Sequence, residues 1–128
     1  MIDVSCAIIL DGIGRVLVTR RSGTMSLPYK WEFPGGKVES GETPAECLIR
    51  EIREELDVDI EILEQREPNI HHGTPMIKMI PFICRIISGQ IHLKEHEDSR
   101  WLEPAALINL DWADADVPVV KNFLECLN

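Results

Sequence analysis

The sequence predicts an α/β sandwich built around a mixed sheet, and two observations lead there. Short β-branched or apolar segments interleave with stretches of helical periodicity along all 128 residues, so strands and helices share one domain spanning residues 1–128. Two of the helical stretches, opening at Pro44 and near Val117, are amphipathic and suited to covering a sheet.

The elements follow in order. V-S-C-A-I-I-L (4–10) and R-V-L-V-T-R (15–20) are strands, and Asp11-Gly12-Ile13-Gly14 between them is a hairpin signal. Residues 21–30 carry Gly, Ser and Pro and form a loop, after which Pro34-Gly35-Gly36 turns the segment 31–37. Thr43 caps a helix whose first residue is Pro44, and Glu46, three residues on, completes a capping box. Leu48, Ile52 and Leu56 make an apolar stripe, widened by Ala45 and Ile49, and the acidic residues fall off it. The helix stops at Asp57. Val58 to Leu63 alternates as a strand, and Met76 to Ile87 is a long apolar run that Pro81 assigns to an edge or a bulge. Gln90–Leu93 and Ser99–Leu102 read as short strands, and a short helix begins at Glu103-Pro104. Val117 to Leu127 closes the chain, with Val120, Phe123, Leu124 and Leu127 on one face.

Composition narrows the function. With 45% hydrophobic and 27% charged residues, the chain has the make-up of an ordinary soluble protein. No apolar run approaches the ~20 residues of a membrane span. The start, M-I-D-V-S-C-A-I-I-L, lacks a basic region and cleavage site, so cytoplasm is the expected compartment. A formal net charge of −9 and the lack of a Lys/Arg cluster argue against a nucleic acid polymer or a membrane as partner. The expected partner is a small molecule, bound by a monomer or a homodimer. Cys6, Cys47, Cys84 and Cys126 form no C-x-x-C and are expected as reduced thiols in or near the core.

Chemistry concentrates between Trp31 and Ile60. Glu51, Glu54 and Glu55 are spaced i, i+3 and i+4 and crowd one helical face. Ionised carboxylates that close repel one another, and a hard cation would explain them. Mg²⁺ takes oxygen ligands and is typically held by one or two carboxylates plus substrate phosphates. An acidic protein acting on phosphates needs such cations to reverse the local field.

Gly36, then Glu42, then Arg50-Glu51-Ile52-Arg53-Glu54-Glu55 and the apolar Val58 resemble the Nudix box over residues 36–58. The family pattern is G-x5-E-x7-R-E-U-x-E-E-x-G-U, with U a bulky apolar residue. One fixed position departs: Asp57 stands where the family has a glycine that ends the helix in a left-handed conformation. The W-E-F-P-G-G-K approach, Arg20-Arg21, Trp101 and A-D-V-P-V-V resemble the MutT-type branch, which includes CTP pyrophosphohydrolases and enzymes that sanitise oxidised dGTP.

The resemblance implies a Nudix-type α/β/α sandwich with a central mixed sheet, and cleavage of a nucleoside triphosphate to monophosphate and pyrophosphate. It implies that Glu51, Glu54, Glu55, Glu95 and the Gly35 carbonyl hold Mg²⁺, with Mn²⁺ as a substitute and Glu97 as fallback for Glu95. Arg50 and Glu42 would pair to hold helix and loop in register, and Lys37 would reach a phosphate. General-base work falls to Glu54 first and Glu95 second.

Arg21 would lie near base or phosphates, with Phe33 and Leu27 bordering the base. Asp116 is the residue expected to read the base. The oxidised-guanine branch typically has Asn there, whereas an ionised carboxylate only accepts and suits the exocyclic amine of cytosine. The alternatives are an 8-oxo-dGTP diphosphatase, whose guanine also carries donors, and a nucleotide-sensing module without turnover. Such a module is expected to lose ligating glutamates, and here all three stand. Asp116 also suits capping of the last helix. His71-His72 and His96 are expected in exposed loops, and Trp31, Trp101 and Trp112 as packing residues.

Overall fold

The two N-terminal strands form where their β-branched residues predict, but not as a hairpin. In the computed structural model, which describes residues 1–127, β1 (Ile2–Ile9) and β2 (Val16–Arg20) lie in different sheets. Next to them, Leu10 and Val16 form an isolated antiparallel bridge. Asp11 closes the connection, its carboxylate accepting the N–H groups of Ile13 and Arg15 at 3.0 and 2.8 Å. The period of two along each strand then serves two cores. Cys6, Ile8, Val16 and Val18 face one, while Ala7, Ile9 and Leu17 face the other.

β1 runs antiparallel to β4 (Gly35–Lys37) and parallel to β7 (Ile77–Gly89). β7 also pairs antiparallel with β5 (Val58–Gln65) and β6 (Asn69–His71), giving a five-stranded mixed sheet. β2 centres a second, antiparallel sheet between β3 (Trp31–Glu32) and β8 (Asp98–Leu102).

Pro81 corrects the edge expectation, because β7 is an interior strand, while the bulge-type register shift of its pairing with β5 falls nearby, between Ile62 and Glu64. The Arg66 N–H donates to the Pro81 carbonyl at 2.9 Å, so Pro81 faces the break between β5 and β6. The N–H it lacks interrupts no pairing there. Gln90–Leu93 is not a strand either; the His92 N–H donates to the Leu56 carbonyl at 2.9 Å, tying this segment to a helix end. The short β6, which includes His71, was not anticipated.

α1 (Pro44–Leu56) carries the capping box. Thr43 Oγ1 accepts the Glu46 N–H at 3.1 Å, and Glu46 Oε1 accepts the Thr43 N–H at 2.9 Å. Leu48, Ile52 and Leu56 pack against Ala7, Ile9, Ile80 and Phe82, each such side chain contributing about 1.5–3 kcal/mol on burial. The buried face is turned towards Cys47 and Glu55 and away from Ile49, which faces solvent. Asp57 ends the helix at φ 62° and ψ 33°, the left-handed conformation foreseen for it.

Pro104–Asn109 is a 3₁₀ helix, and a further 3₁₀ turn, Asp114–Asp116, leads into α2 (Val117–Glu125). Val119, Val120 and Phe123 cover the core on the side opposite α1, whereas Leu127 is exposed. The architecture is an α/β/α sandwich with a central mixed sheet. Cys6, Cys47 and Cys84 are buried, while Cys126 is exposed. Among the described residues, no helix is long and apolar enough to cross a membrane.

Candidate active site

Two glycines let β4 run against β1 and α1 at once. A Cβ on Gly35 would stand 1.9 Å from the Ser5 carbonyl oxygen, and one on Gly36 would stand 2.3 Å from the Glu51 carboxyl carbon. The Glu51 carboxylate therefore rests on the Gly36 backbone. Beside it, Glu55 Oε2 accepts the Gly35 N–H at 3.2 Å. The acidic face of α1 is docked on the glycine turn.

Arg50 organises the rest of that face. Its Nε and Nη2 donate to both oxygens of Glu42 at 3.1 and 2.7 Å, a bidentate pair joining the helix to the loop before it. Nη1 reaches Glu51 at 2.9 Å and Glu54 at 3.3 Å, and Nη2 reaches the Lys37 carbonyl at 3.4 Å. The Arg50 bonds, helped by the Glu39 N–H, hold the Glu42 carboxyl down at about 2. Glu55 goes the other way. Burial, then the charges of Glu32 and Glu51, push it to about 9 against the Gly35 hydrogen bond. Burial also raises Glu51, opposed by Arg50.

A cavity of about 150 Å³ opens beside this face and gathers six of the expected residues: Arg21, Phe33, Gly35, Lys37, Glu55 and Asp116. Glu42, Arg50, Glu51, Glu54 and Glu95 are not in its wall. The Glu54 side chain is 60% exposed. Glu95 is exposed on the loop before β8, close enough for its charge to help raise Glu55. Glu97 is committed elsewhere, paired with Arg20 at 3.3 Å. Leu27 borders a separate groove of about 450 Å³ with His71 and Pro75.

The base-reading candidates are more constrained than their residue types suggest. Arg21 donates from Nη1 to Glu32 at 2.7 Å and from Nε and Nη2 to the Ser26 carbonyl and hydroxyl, so each of its three nitrogens already holds a partner within the protein. Phe33 is buried, with its ring centroid 4.9 Å from that of Trp112. Asp116 does not cap α2 with its side chain. Its Oδ2 accepts the Phe33 N–H at 2.9 Å instead. Burial, reinforced by Glu32, pushes Asp116 to about 8 against that bond and Arg21.

The NUDIX domain family model matches residues 1–123. The chain belongs to the Nudix hydrolase family. It is 31% identical over 129 residues to a CTP pyrophosphohydrolase of Escherichia coli (strain K12), covering 97% of this chain and 92% of that protein. It is 29% identical over 125 residues to an 8-oxo-dGTP diphosphatase of the same organism, covering 93% of each. The solution structure of the E. coli ORF135 protein matches with a TM-score of 0.86 at 28% identity, covering 99% of this chain and 91% of that one. Nudix hydrolases act on nucleotides and generally use divalent metal ions.

The donor set of this Nudix chain suits such an ion. Glu51, Glu54 and Glu55 offer hard oxygen ligands rather than the thiolates a soft metal prefers. A buried Glu55 that stays neutral near pH 7 is a group a nearby cation would ionise. Among the described residues, no ready-made cage of three His, Cys, Asp or Glu side chains is present.

Two residues were missed in the sequence. Glu32 enters the cavity wall from β3, and His96 Nε2 lies 2.7 Å from Glu32 Oε2. His96 was expected in solvent, yet its side chain is 0% exposed. For Glu32 a signal existed: an acid between Trp31 and Phe33, directly before the glycine turn. For His96 the signal was its place beside Glu95, but its partner lies 64 positions away.

Proposed function

We propose that this chain is a Mg²⁺-dependent nucleoside triphosphate pyrophosphohydrolase that releases monophosphate and pyrophosphate, acting on CTP, dCTP or modified cytosine nucleotides. Mn²⁺ serves as a substitute ion. The observation that carries the base assignment is Asp116, buried in the cavity wall with Oδ2 taken by the Phe33 N–H. Oδ1 is left to face a base, and as a carboxylate oxygen it accepts from an exocyclic amine such as cytosine N4.

The remaining roles follow the cavity. Glu51, Glu54, Glu55, Glu95 and the Gly35 carbonyl hold the ion, which when bound offsets phosphate charge and makes water a stronger acid. Lys37 meets a phosphate at the cavity edge. Arg50 and Glu42 keep α1 in register with the turn. Glu54, exposed and lightly held by Arg50, takes a proton from the attacking water, with Glu95 as second choice.

One observation supports a second reading. At about 8, the Asp116 carboxyl is neutral near pH 7 and can donate, which suits a carbonyl of oxidised guanine and an 8-oxo-dGTP diphosphatase. Pyrophosphate release with Mg²⁺ or chelator, across CTP, dCTP, 5-substituted cytosine nucleotides, dGTP and 8-oxo-dGTP, separates the two. Highest kcat/KM on a cytosine nucleotide supports the first, and highest on 8-oxo-dGTP replaces it with the second. No metal-dependent release from any of them defeats both.

A further inference from the structure

We propose that His96 is a positioning residue: its buried hydrogen bond to Glu32 anchors the loop 90–97 so that Glu95 is presented to Glu55 and the other glutamates of α1. This rests on the reading that Glu95 helps to hold the divalent ion. Glu95 makes no hydrogen bond or ion pair of its own among the described residues, so its place is set by what fixes its neighbours. Upstream, the His92 and Lys94 N–H groups donate to the Leu56 and Glu55 carbonyls at 2.9 and 3.1 Å, tying the loop to the end of α1. Downstream, the Glu97 N–H donates to the Arg20 carbonyl at 3.0 Å.

His96 is the one buried side chain between Lys94 and Glu97, and Glu32 is a fixed post for it. The Glu32 carbonyl accepts from Thr19 Oγ1 at 3.0 Å, and its second carboxylate oxygen is held by Arg21 at 2.7 Å. Nε2 is the ring nitrogen that makes this bond, to the carboxyl oxygen that Arg21 leaves free. Nδ1 is then buried with no partner among the described residues. Leucine would fill the same space without an unpaired nitrogen, so packing does not account for histidine here. The bond to Glu32 does. It clasps a loop already tied to the metal helix onto the strand that walls the cavity, with Glu95 between the two ties.

The test compares full-length wild type with His96→Leu and His96→Gln. Gln can bring an amide N–H towards Glu32, whereas Leu cannot. Three readouts are taken: Mg²⁺ and Mn²⁺ affinity of the nucleotide-free protein by calorimetry, amide exchange over residues 92–97, and kcat against KM on the nucleotide panel. The leucine variant is expected to lose metal affinity and kcat by about 10- to 100-fold, the usual effect of removing a partner that orients a ligand. Nucleotide KM stays within about threefold of wild type, since uniform substrate binding is not what is lost. Exchange rises at residues 94–96, and the glutamine variant recovers most of each loss. Wild-type metal affinity and exchange in the leucine variant would overturn the proposal, as would a glutamine variant as impaired as the leucine one. If the leucine variant does not fold, His96→Asn, too short to reach Glu32, replaces it. Metal affinity and exchange are read without nucleotide, so an error in the base assignment leaves this test standing.

Discussion

Asp116 and Phe33 are joined across 83 positions by a hydrogen bond of 2.9 Å, from the Phe33 backbone N–H to Asp116 Oδ2. It fixes one carboxyl oxygen of the residue proposed to read the base.

Asp116→Asn turns that free position into an amide with a different donor and acceptor pattern. The ratio of kcat/KM for cytosine over guanine nucleotides is expected to change by roughly tenfold or more. Mg²⁺ dependence should stay as in wild type. Competition assays with paired nucleotides measure this, and an unchanged ratio would remove Asp116 from base recognition.

Glu55 links the site to stability. Its folded-state value of about 9 lies above the ordinary 4.5, so between those values the folded protein holds a proton that the unfolded chain releases. Its contribution is therefore full below about 4.5 and is lost as pH rises through about 9. Glu55→Gln, neutral throughout, should raise the Tm of chelated protein at pH 8 by about 5 °C while abolishing activity. Added Mg²⁺ should stabilise wild type and not the variant. Calorimetry decides it, and a variant less stable than wild type at pH 8 would show that the burial penalty on Glu55 is not borne by the fold.

The paired glycines should fail differently. Gly35→Ala drives a Cβ into the Ser5 backbone, which cannot yield without opening the β1–β4 pairing, and should cost about 1–3 kcal/mol in denaturant titrations. Gly36→Ala meets the end of a flexible Glu51 side chain instead. It should fold normally and lose roughly 10- to 100-fold in metal affinity. Equal loss of stability in both would refute the distinction.

Asp57 tests the one departure from the family pattern. A β-branched residue tolerates its left-handed backbone poorly, so Asp57→Val should destabilise by about 1–2 kcal/mol. Asp57→Gly should equal or exceed wild type in Tm, with kcat unchanged. A loss of activity in the glycine variant would assign Asp57 a role beyond ending the helix.

Local chemistry was legible in the sequence because its interactions are local. The capping box spans three residues, the left-handed stop at Asp57 is a property of one, and the Arg50 contacts to Glu51 and Glu54 lie within a turn of helix. The apolar stripe of α1 was read with its edge misplaced. Periodicity locates a face only coarsely, and Glu55, although charged, falls on the side the sheet covers. Pro81 misled because a missing N–H excludes a strand interior only where a partner stands opposite it.

The sequence by itself determined the helix that bears the glutamates, the turn that receives it, and so the family and its chemistry. Only the tertiary structure decided which acids are buried, that Arg21 is engaged by Glu32 and Ser26, and that His96 meets Glu32 beneath the surface. The reason is physical. A hydrogen-bond partner 64 or 83 positions away leaves no periodic trace in the chain, and a carboxyl's charge state depends on a dielectric that exists only once the sheets and helices have closed around it.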